Sequence, residues 1–287
     1  MRIIKARAMG MCFGVRDAIE AALSAAKTEP LTVLGELAHN PQIHEQLRQN
    51  GVRQESDLAN AKTKNVMITA HGASDSSKER ARERGHHVLD AACPLVRHAH
   101  QAVRRLVEAG FHPIIVGRRD HVEVRGLVED LAACDVILTP EDVDALAERT
   151  RFGVAAQTTQ PIERALELVE RIRKRFPRSE VRFVDTVCQP TKERQRSAYE
   201  LAQECDVIVV VGGRHSNNTR ELADTCRRFG AQVHQVERAD ELEPFWFTRA
   251  ETVGLTAGTS TPDSAIAQVE ARLLVLAPAA NRNKEAA

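Results

Sequence analysis

Residues 90–94 read DAACP, and residues 185–190 read DTVCQP. Each segment places a cysteine three residues after an aspartate, at the end of an apolar run, with a proline close behind. An echo at this separation suggests a repeated unit. The surrounding chain alternates in the same sense. The β-branched runs LTVLG (31–35), NVMITAHG (65–72), HPIIVG (112–117), DVILT (135–139), RFGVAAQ (151–157), VRFVDTV (181–187), DVIVVVGG (206–213) and TVGLTAG (252–258) read as buried strands. Helical stretches lie between them. In PIERALELVERIRKRF (161–176), Ile162, Ala165, Leu166, Val169 and Ile172 fall on one helical face. Strand–helix alternation predicts an α/β fold of small, mostly parallel sheets covered by helices.

Three kinds of strand-end motif recur. The first follows a strand closing in glycine: LGELAHNP with His39, VGRRDHVEV with His121 and Glu123, VGGRHSNNT with Ser216 and Asn218. The second follows the next strand: TAHGAS with His71, AAQTTQP with Thr158, TAGTSTP with Ser260. The third is the cysteine echo, Cys93 and Cys188. The last segment has no such cysteine after Ser260, but the N-terminus supplies AMGMCFGV, with Cys12 after the run Ile3–Ile4. If the first strand completes the last segment, three similar units close in a pseudo-threefold ring: 14–94, 95–190, and 191–287 with 1–13. The motifs sit where strands end and helices begin. Pro41, Pro94, Pro161 and Pro262 suit first-turn positions, and Asn40 and Thr261 suit N-caps. Such ends bind ligands in parallel α/β sheets, and helix N-termini favour anions such as phosphate.

Composition narrows the classes. The chain has 287 residues with 40 basic and 40 acidic side chains, so charge gives no argument for nucleic acid or an acidic membrane surface. Aromatics are 3%, too few for a base-stacking surface. No apolar run approaches a membrane span, and the N-terminus has no signal-peptide core, so the expected compartment is the cytoplasm. Six cysteines there suggest packing, metal or redox roles rather than disulfides. Soft thiolates suit iron–sulfur, zinc or copper. Zinc normally shows short C-x-x-C pairs, absent here, and three widely spaced cysteines fit a cubane cluster with one open iron better. No G-x-G-x-x-G loop opens a helix, so no bound dinucleotide is expected. Two rival classes are a non-catalytic metalloprotein and a cofactor-free phosphate-ester hydrolase. The second finds no G-x-S-x-G elbow.

The ordered set GMCFGV, AHNP, AHG, DAACPLV, HVEV, QTT, SNNT and TAGTSTPD resembles the IspH or LytB family of 4-hydroxy-3-methylbut-2-enyl diphosphate reductases, from about Met9 to Asp263. The resemblance implies three α/β units around a 4Fe–4S cluster. It implies reductive dehydroxylation of an allylic alcohol diphosphate to isopentenyl and dimethylallyl diphosphate, the last step of the methylerythritol phosphate isoprenoid pathway, fed by a ferredoxin or flavodoxin. Residue by residue, it gives Cys12, Cys93 and Cys188 as cluster ligands. His39, His71, Ser216, Asn217, Asn218 and Ser260 fall at diphosphate positions, His121, Thr158 and Thr191 line the substrate, and Glu123 is the proton source. Asn217 stands where many members have serine, and His215 where asparagine is common.

The remaining chemistry-bearing residues have blander expectations. Cys134, Cys205 and Cys226 read as packing residues. His44, His86, His87, His98, His100, His112 and His234 read as surface or cap residues. RIRKRFPR (171–178) and, apart from Thr191, TKERQR (191–196) read as solvated helix ends. DHVEV (120–124) reads as extended chain with His121 and Glu123 on one side. The alternative for Glu123 is a salt bridge to Arg118, Arg119 or Arg125.

Overall fold

The computed structural model describes residues 1–38 and 40–276. His39 and the tail APAANRNKEAA, expected to fray, lie outside the described residues. Among the described residues three four-stranded sheets form, and every strand pairing within them is parallel.

The chain divides into two compact units, residues 13–37 with 44–188 and residues 1–12 with 38–43 and 189–287. The first unit holds two sheets. One is built from β2 (Leu31–Leu34), β3 (Val52–Glu55), β4 (Asn65–Ile68) and β5 (His87–Asp90), ordered β3-β2-β4-β5. The other is built from β6 (His112–Val116), β7 (Asp135–Ile137), β8 (Arg151–Ala156) and β9 (Glu180–Phe183), ordered β7-β6-β8-β9. Helices α1 (Phe13–Ala26), α3 (Asp75–Glu83), α4 (Pro94–Glu108), α5 (Val122–Val128), α6 (Pro140–Asp144) and α7 (Ile162–Arg175) accompany them, with α2 (Pro41–Gln49) crossing the boundary. The second unit holds β10 (Val207–Val211), β11 (Gln232–Val236), β12 (Thr252–Ala257) and the N-terminal β1 (Arg2–Lys5), ordered β11-β10-β12-β1, with α8 (Gln189–Glu204), α9 (Asn217–Arg228) and α10 (Asp263–Leu276). The strand order is thus the same in each sheet, with β1 in register beside β12 in the place that β5 and β9 hold.

Side-chain alternation explains the layers. In β10, Val207, Val209 and Val211 join one cluster with Leu255, Val269 and Leu273, whereas Ile208 and Val210 join Ala198, Leu201 and Leu222 on the other face. A strand covered on both faces reads as an unbroken apolar run. In the β6–β9 sheet, Ile114, Val116 and Val154 meet Ala165, Val169 and Ile172 of α7, while Ile115 and Ala155 meet Ala99 and Val103 of α4. Each such fully buried aliphatic side chain contributes about 1.5–3 kcal/mol.

Several local expectations need correction. β3, β5 and β11 were absent from the apolar runs. Each pairs with one neighbour only, and sequences such as VRQE keep polar residues on the uncovered side. On α7, Leu168 is buried and Leu166 is 47% exposed, so the apolar stripe lies one step round from the expected one. Pro161 is the N-cap of α7 rather than its first turn, and Pro262 directly precedes α10. Thr261 donates its hydroxyl to the Val211 carbonyl (3.0 Å) instead of capping a helix. No described helix is long and apolar enough to cross a membrane.

Candidate active site

The DAAC and DTVC echo has a common local cause. The Asp90 carboxylate accepts the Ala92 N–H (3.0 Å) and the Asp185 carboxylate accepts the Val187 N–H (3.1 Å). These aspartate turns stop the strand and aim the next residue at a helix start. Cys93 is the N-cap of α4, with Pro94 at its first position and no side-chain cap bond, and Cys188 immediately precedes α8. The backbone then repeats three times. The Cys93 N–H bonds the Ala70 carbonyl, the Cys188 N–H bonds the Thr158 carbonyl, and the Cys12 N–H bonds the Thr259 carbonyl, each at 3.0 Å. Each acceptor lies two residues beyond the end of β4, β8 or β12. Three thiols therefore occupy equivalent positions, each at the carboxyl end of its own sheet.

These thiols differ physically from the other three. Cys12, Cys93 and Cys188 are partly exposed. Cys205 and Cys226 are buried, and burial pushes their thiols up to about 11 and about 12. Burial raises Cys134 as well, so all three resist forming the thiolate a metal needs. The packing role expected for Cys205 and Cys226 holds, since both lie in the apolar cluster around Ile208, whereas Cys134 is itself partly exposed. Beside Cys93, a β-carbon placed on Gly14 would come within 2.6 Å of the sulfur, so the GMCFG glycine leaves room that no other residue would. Among the described residues no group of three or more His, Cys, Asp or Glu side chains is gathered to hold a single metal ion. The donor set, three partly exposed thiols in equivalent local settings, suits an iron–sulfur cluster.

Glu123 does not lie in extended chain. His121 caps α5 by accepting the Glu123 N–H on Nδ1 (3.2 Å), and Glu123 is in the first helical turn. A neutral His121 accepting there carries its proton on Nε2. Its ring meets His71 edge-on, with centroids 5.6 Å apart. Glu123 is 1% exposed and forms no salt bridge: Arg118 pairs with Asp120, and Arg119 donates to the Val136 carbonyl. Its carboxylate instead accepts the Thr158 N–H (2.6 Å) and hydroxyl (2.8 Å). Burial outweighs both bonds and lifts its pKa from 4.5 to about 7. A buried carboxyl titrating at neutral pH is the environment of a general acid. Since Thr158 also accepts the Cys188 N–H, one residue joins the acid to a thiol-bearing loop.

The remaining candidates group on the other compact unit. Ser216 caps α9, accepting the Thr219 N–H, and Asn217 and Asn218 follow, all three buried. The Asn218 side-chain oxygen accepts the Thr259 N–H (3.0 Å), which leaves its Nδ2 donor aimed elsewhere. That Nδ2 and the Ser260 hydroxyl are buried and have no partner. Buried orphan donors are costly unless a ligand or water completes them. Close packing fixes the surrounding loops: a β-carbon on Gly258 would stand 2.1 Å from the Thr219 hydroxyl. Thr191 is fully buried in the first turn of α8.

One expectation on this unit fails. TKERQR is not a solvated helix end, because Arg194 and Gln195 are 7% and 6% exposed. Arg194 donates to the Gly10 carbonyl through Nε (3.1 Å) and Nη2 (2.8 Å), and to the Pro190 carbonyl through Nη1 (2.9 Å). Its charge hid the burial. The available signal was helical spacing, since Thr191, Arg194, Ala198 and Leu201 share one face. Among the plain histidines, His112 pairs with Asp135 and His234 stacks on Trp246, so neither is merely at the surface. His100 is half-buried, with Nε2 lacking a partner.

Comparison with known proteins identifies a family for the chain. The family model described as LytB protein matches residues 3–274. A protein from Pelobacter propionicus called 4-hydroxy-3-methylbut-2-enyl diphosphate reductase is 38% identical, covering 95% of this chain and 98% of its own. An Aquifex aeolicus protein of the same name is 37% identical, with 94% and 95% covered. The solved structure of E-1-hydroxy-2-methyl-but-2-enyl-4-diphosphate reductase from Plasmodium falciparum superposes with a TM-score of 0.89 at 25% identity, covering 96% and 89% of the two chains. A second solved structure, of (E)-4-hydroxy-3-methyl-but-2-enyl diphosphate reductase, the terminal enzyme of the non-mevalonate pathway, gives 0.68 at 35% identity, covering 96% and 100%. With the family model spanning nearly its whole length, the chain belongs to the LytB protein family.

Proposed function

We propose that this chain reduces 4-hydroxy-3-methylbut-2-enyl diphosphate to isopentenyl and dimethylallyl diphosphate, the terminal step of the non-mevalonate pathway, with a 4Fe–4S cluster on Cys12, Cys93 and Cys188. Two electrons and two protons enter, the allylic C–O bond breaks, and water leaves. The observation that carries the reading is the cysteine amide bond repeated at 3.0 Å on three sheets, together with a buried carboxyl whose pKa burial raises to about 7. When bound, the cluster supplies the electrons one at a time and an open Lewis-acidic iron.

The chain's own residues handle the proton and the diphosphate. Glu123, with its pKa raised to about 7, is part protonated at neutral pH, and Thr158 fixes the carboxyl with its N–H and hydroxyl. Glu123, directly or through Thr158, protonates the leaving hydroxyl, because hydroxide alone leaves poorly. The Asn218 Nδ2 and Ser260 hydroxyl, orphaned in the protein alone, donate to diphosphate oxygens. Ser216 and Asn217 bring the anion to the N-terminus of α9, where the helix dipole favours it. His39 and His71 add charge when protonated, and His121 and Thr191 line the substrate. A ferredoxin or flavodoxin in the cytoplasm delivers the electrons. The same reading divides the chain into repeat units 14–94, 95–190, and 191–287 completed by 1–13, supported by the common strand order.

The test is anaerobic purification followed by iron and sulfide analysis, and turnover of the diphosphate with a reduced donor. About four irons per chain and both products support the reading. A metal-free protein that hydrolyses phosphate esters in air would replace it with the hydrolase reading.

A further inference from the structure

We propose that Arg194 is a positioning residue for Cys12: it clamps the loop that carries the thiol. The inference rests on the cluster assignment above and adds a residue to it.

The segment after β1 is irregular, and irregular backbone needs partners for its polar groups. One side of it is bonded to the strand and loop of β12: the Ala6 N–H to the Leu255 carbonyl (2.9 Å), the Gly10 N–H to the Ala257 carbonyl (3.0 Å) and the Cys12 N–H to the Thr259 carbonyl (3.0 Å). The other side is bonded to α8. The Ser197 hydroxyl accepts the Ala8 N–H (3.2 Å), and the Arg194 guanidinium donates twice to the Gly10 carbonyl. Ser197 is three residues from Arg194, on the same face of the helix. Gly10 itself has φ +76°, and a β-carbon there would meet Ile266 at 2.8 Å, so this turn is held in a conformation that only glycine adopts easily.

A neutral donor at position 194 would satisfy the Gly10 oxygen equally well by count. Arginine brings more. It is 7% exposed, and its donors go to backbone carbonyls rather than to water. The planar fork holds the Gly10 and Pro190 carbonyls together, joining the Cys12 loop to the start of the helix that follows Cys188. Lysine loses the fork, and glutamine keeps at most part of it, so both variants test the fork.

The experiment uses the full chain with Arg194→Lys, Arg194→Gln and Arg196→Gln. Arg196 is exposed on the same helix and pairs only with Glu200 on its own surface, which makes it the control. Amide exchange at Gly10 and Cys12 is measured in the apo protein. Iron content is measured after anaerobic reconstitution. Both Arg194 variants should exchange these amides at least tenfold faster than wild type and lose iron to a chelator faster, and Arg196→Gln should match wild type throughout. If Arg194→Gln does not fold, Arg194→Lys decides: unchanged exchange and iron retention overturn the clamp. A wild-type chain that takes up no cluster defeats the cluster assignment instead, and the apo exchange result still reads the clamp.

Discussion

In water a glutamate gives up its proton near pH 4.5, yet Glu123 keeps its proton to about 7 because burial removes solvent from the charged form and no cation replaces it. The sign follows directly. The unfolded chain ionises this group above about 4.5 while the folded chain does not. Folding therefore loses stability as pH rises between the two values, on the order of 3 kcal/mol in all. Glu123→Gln removes the ionisation while keeping the shape. Chemical denaturation of the apo protein should show the variant gaining on wild type from pH 5 to pH 8, and a constant gap would deny the raised pKa. In the loaded enzyme the same variant should turn over about 100-fold more slowly or worse. Wild-type turnover should decline as pH passes through about 7, and the variant should lack that limb. Rates within threefold of wild type would move the proton source to another residue. The sequence made the motif HVEV legible but not its geometry. The burial of Glu123 depends on the contact with Thr158, 35 positions away, and no local pattern encodes it. Arg194 escaped for the converse reason, since a charged side chain on a helix reads as solvated until its carbonyl partners are known.

At the scale of elements, strand ends and helix starts carry the chemistry, and they were the most readable features. Buried central strands announce themselves as apolar runs, and Gly or Pro marks their ends. The edge strands β3, β5 and β11 stayed hidden because one side of each is uncovered and polar. The elements also sort the predicted effects. Replacing Cys12, Cys93 or Cys188 by serine should abolish the cluster chromophore and turnover. Serine at Cys134, Cys205 or Cys226, away from these helix starts, should spare both. An intact chromophore in Cys12→Ser would break the equivalence inferred from the three amide bonds. At the start of α9 and the loop before α10, Asn218→Ala and Ser260→Ala should each weaken substrate binding about tenfold or more, the loss expected of one hydrogen bond to a charged group at roughly 1.5–3 kcal/mol. The cluster spectrum of the free protein should not change. Calorimetric titration of the diphosphate measures this, and unaltered affinity in both variants would remove these donors from the site.

At the scale of the whole chain, the third sheet is assembled from both ends of the sequence. In the first two sheets the last strand follows a helix directly: β4, α3, β5 and then β8, α7, β9. In the third, β12 and α10 are followed by β1 in space but not in sequence. Joining residue 287 to residue 1 would restore the same strand–helix–strand connection that the other sheets use. A right-handed crossover of this kind is the ordinary way to link parallel neighbours. The 14 residues of α10 return the chain about 21 Å toward the starting edge of the sheet. The 11 residues after Leu276 can span up to about 36 Å. New termini can be placed between Glu29 and Pro30, in the exposed turn between α1 and β2, where opening is best tolerated. The cysteine-bearing loops and their helices stay whole in this permutant. It should fold, retain the circular dichroism of the parent, and load as much iron. It should also unfold in a single transition within a few degrees of the parent, since β1 keeps its register against β12 from Arg2 to Lys5. A permutant that folds without β1 protected from amide exchange would mean that the strand pairs only when it leads the chain. The repeat division would then describe the sequence but not the way its parts are held together.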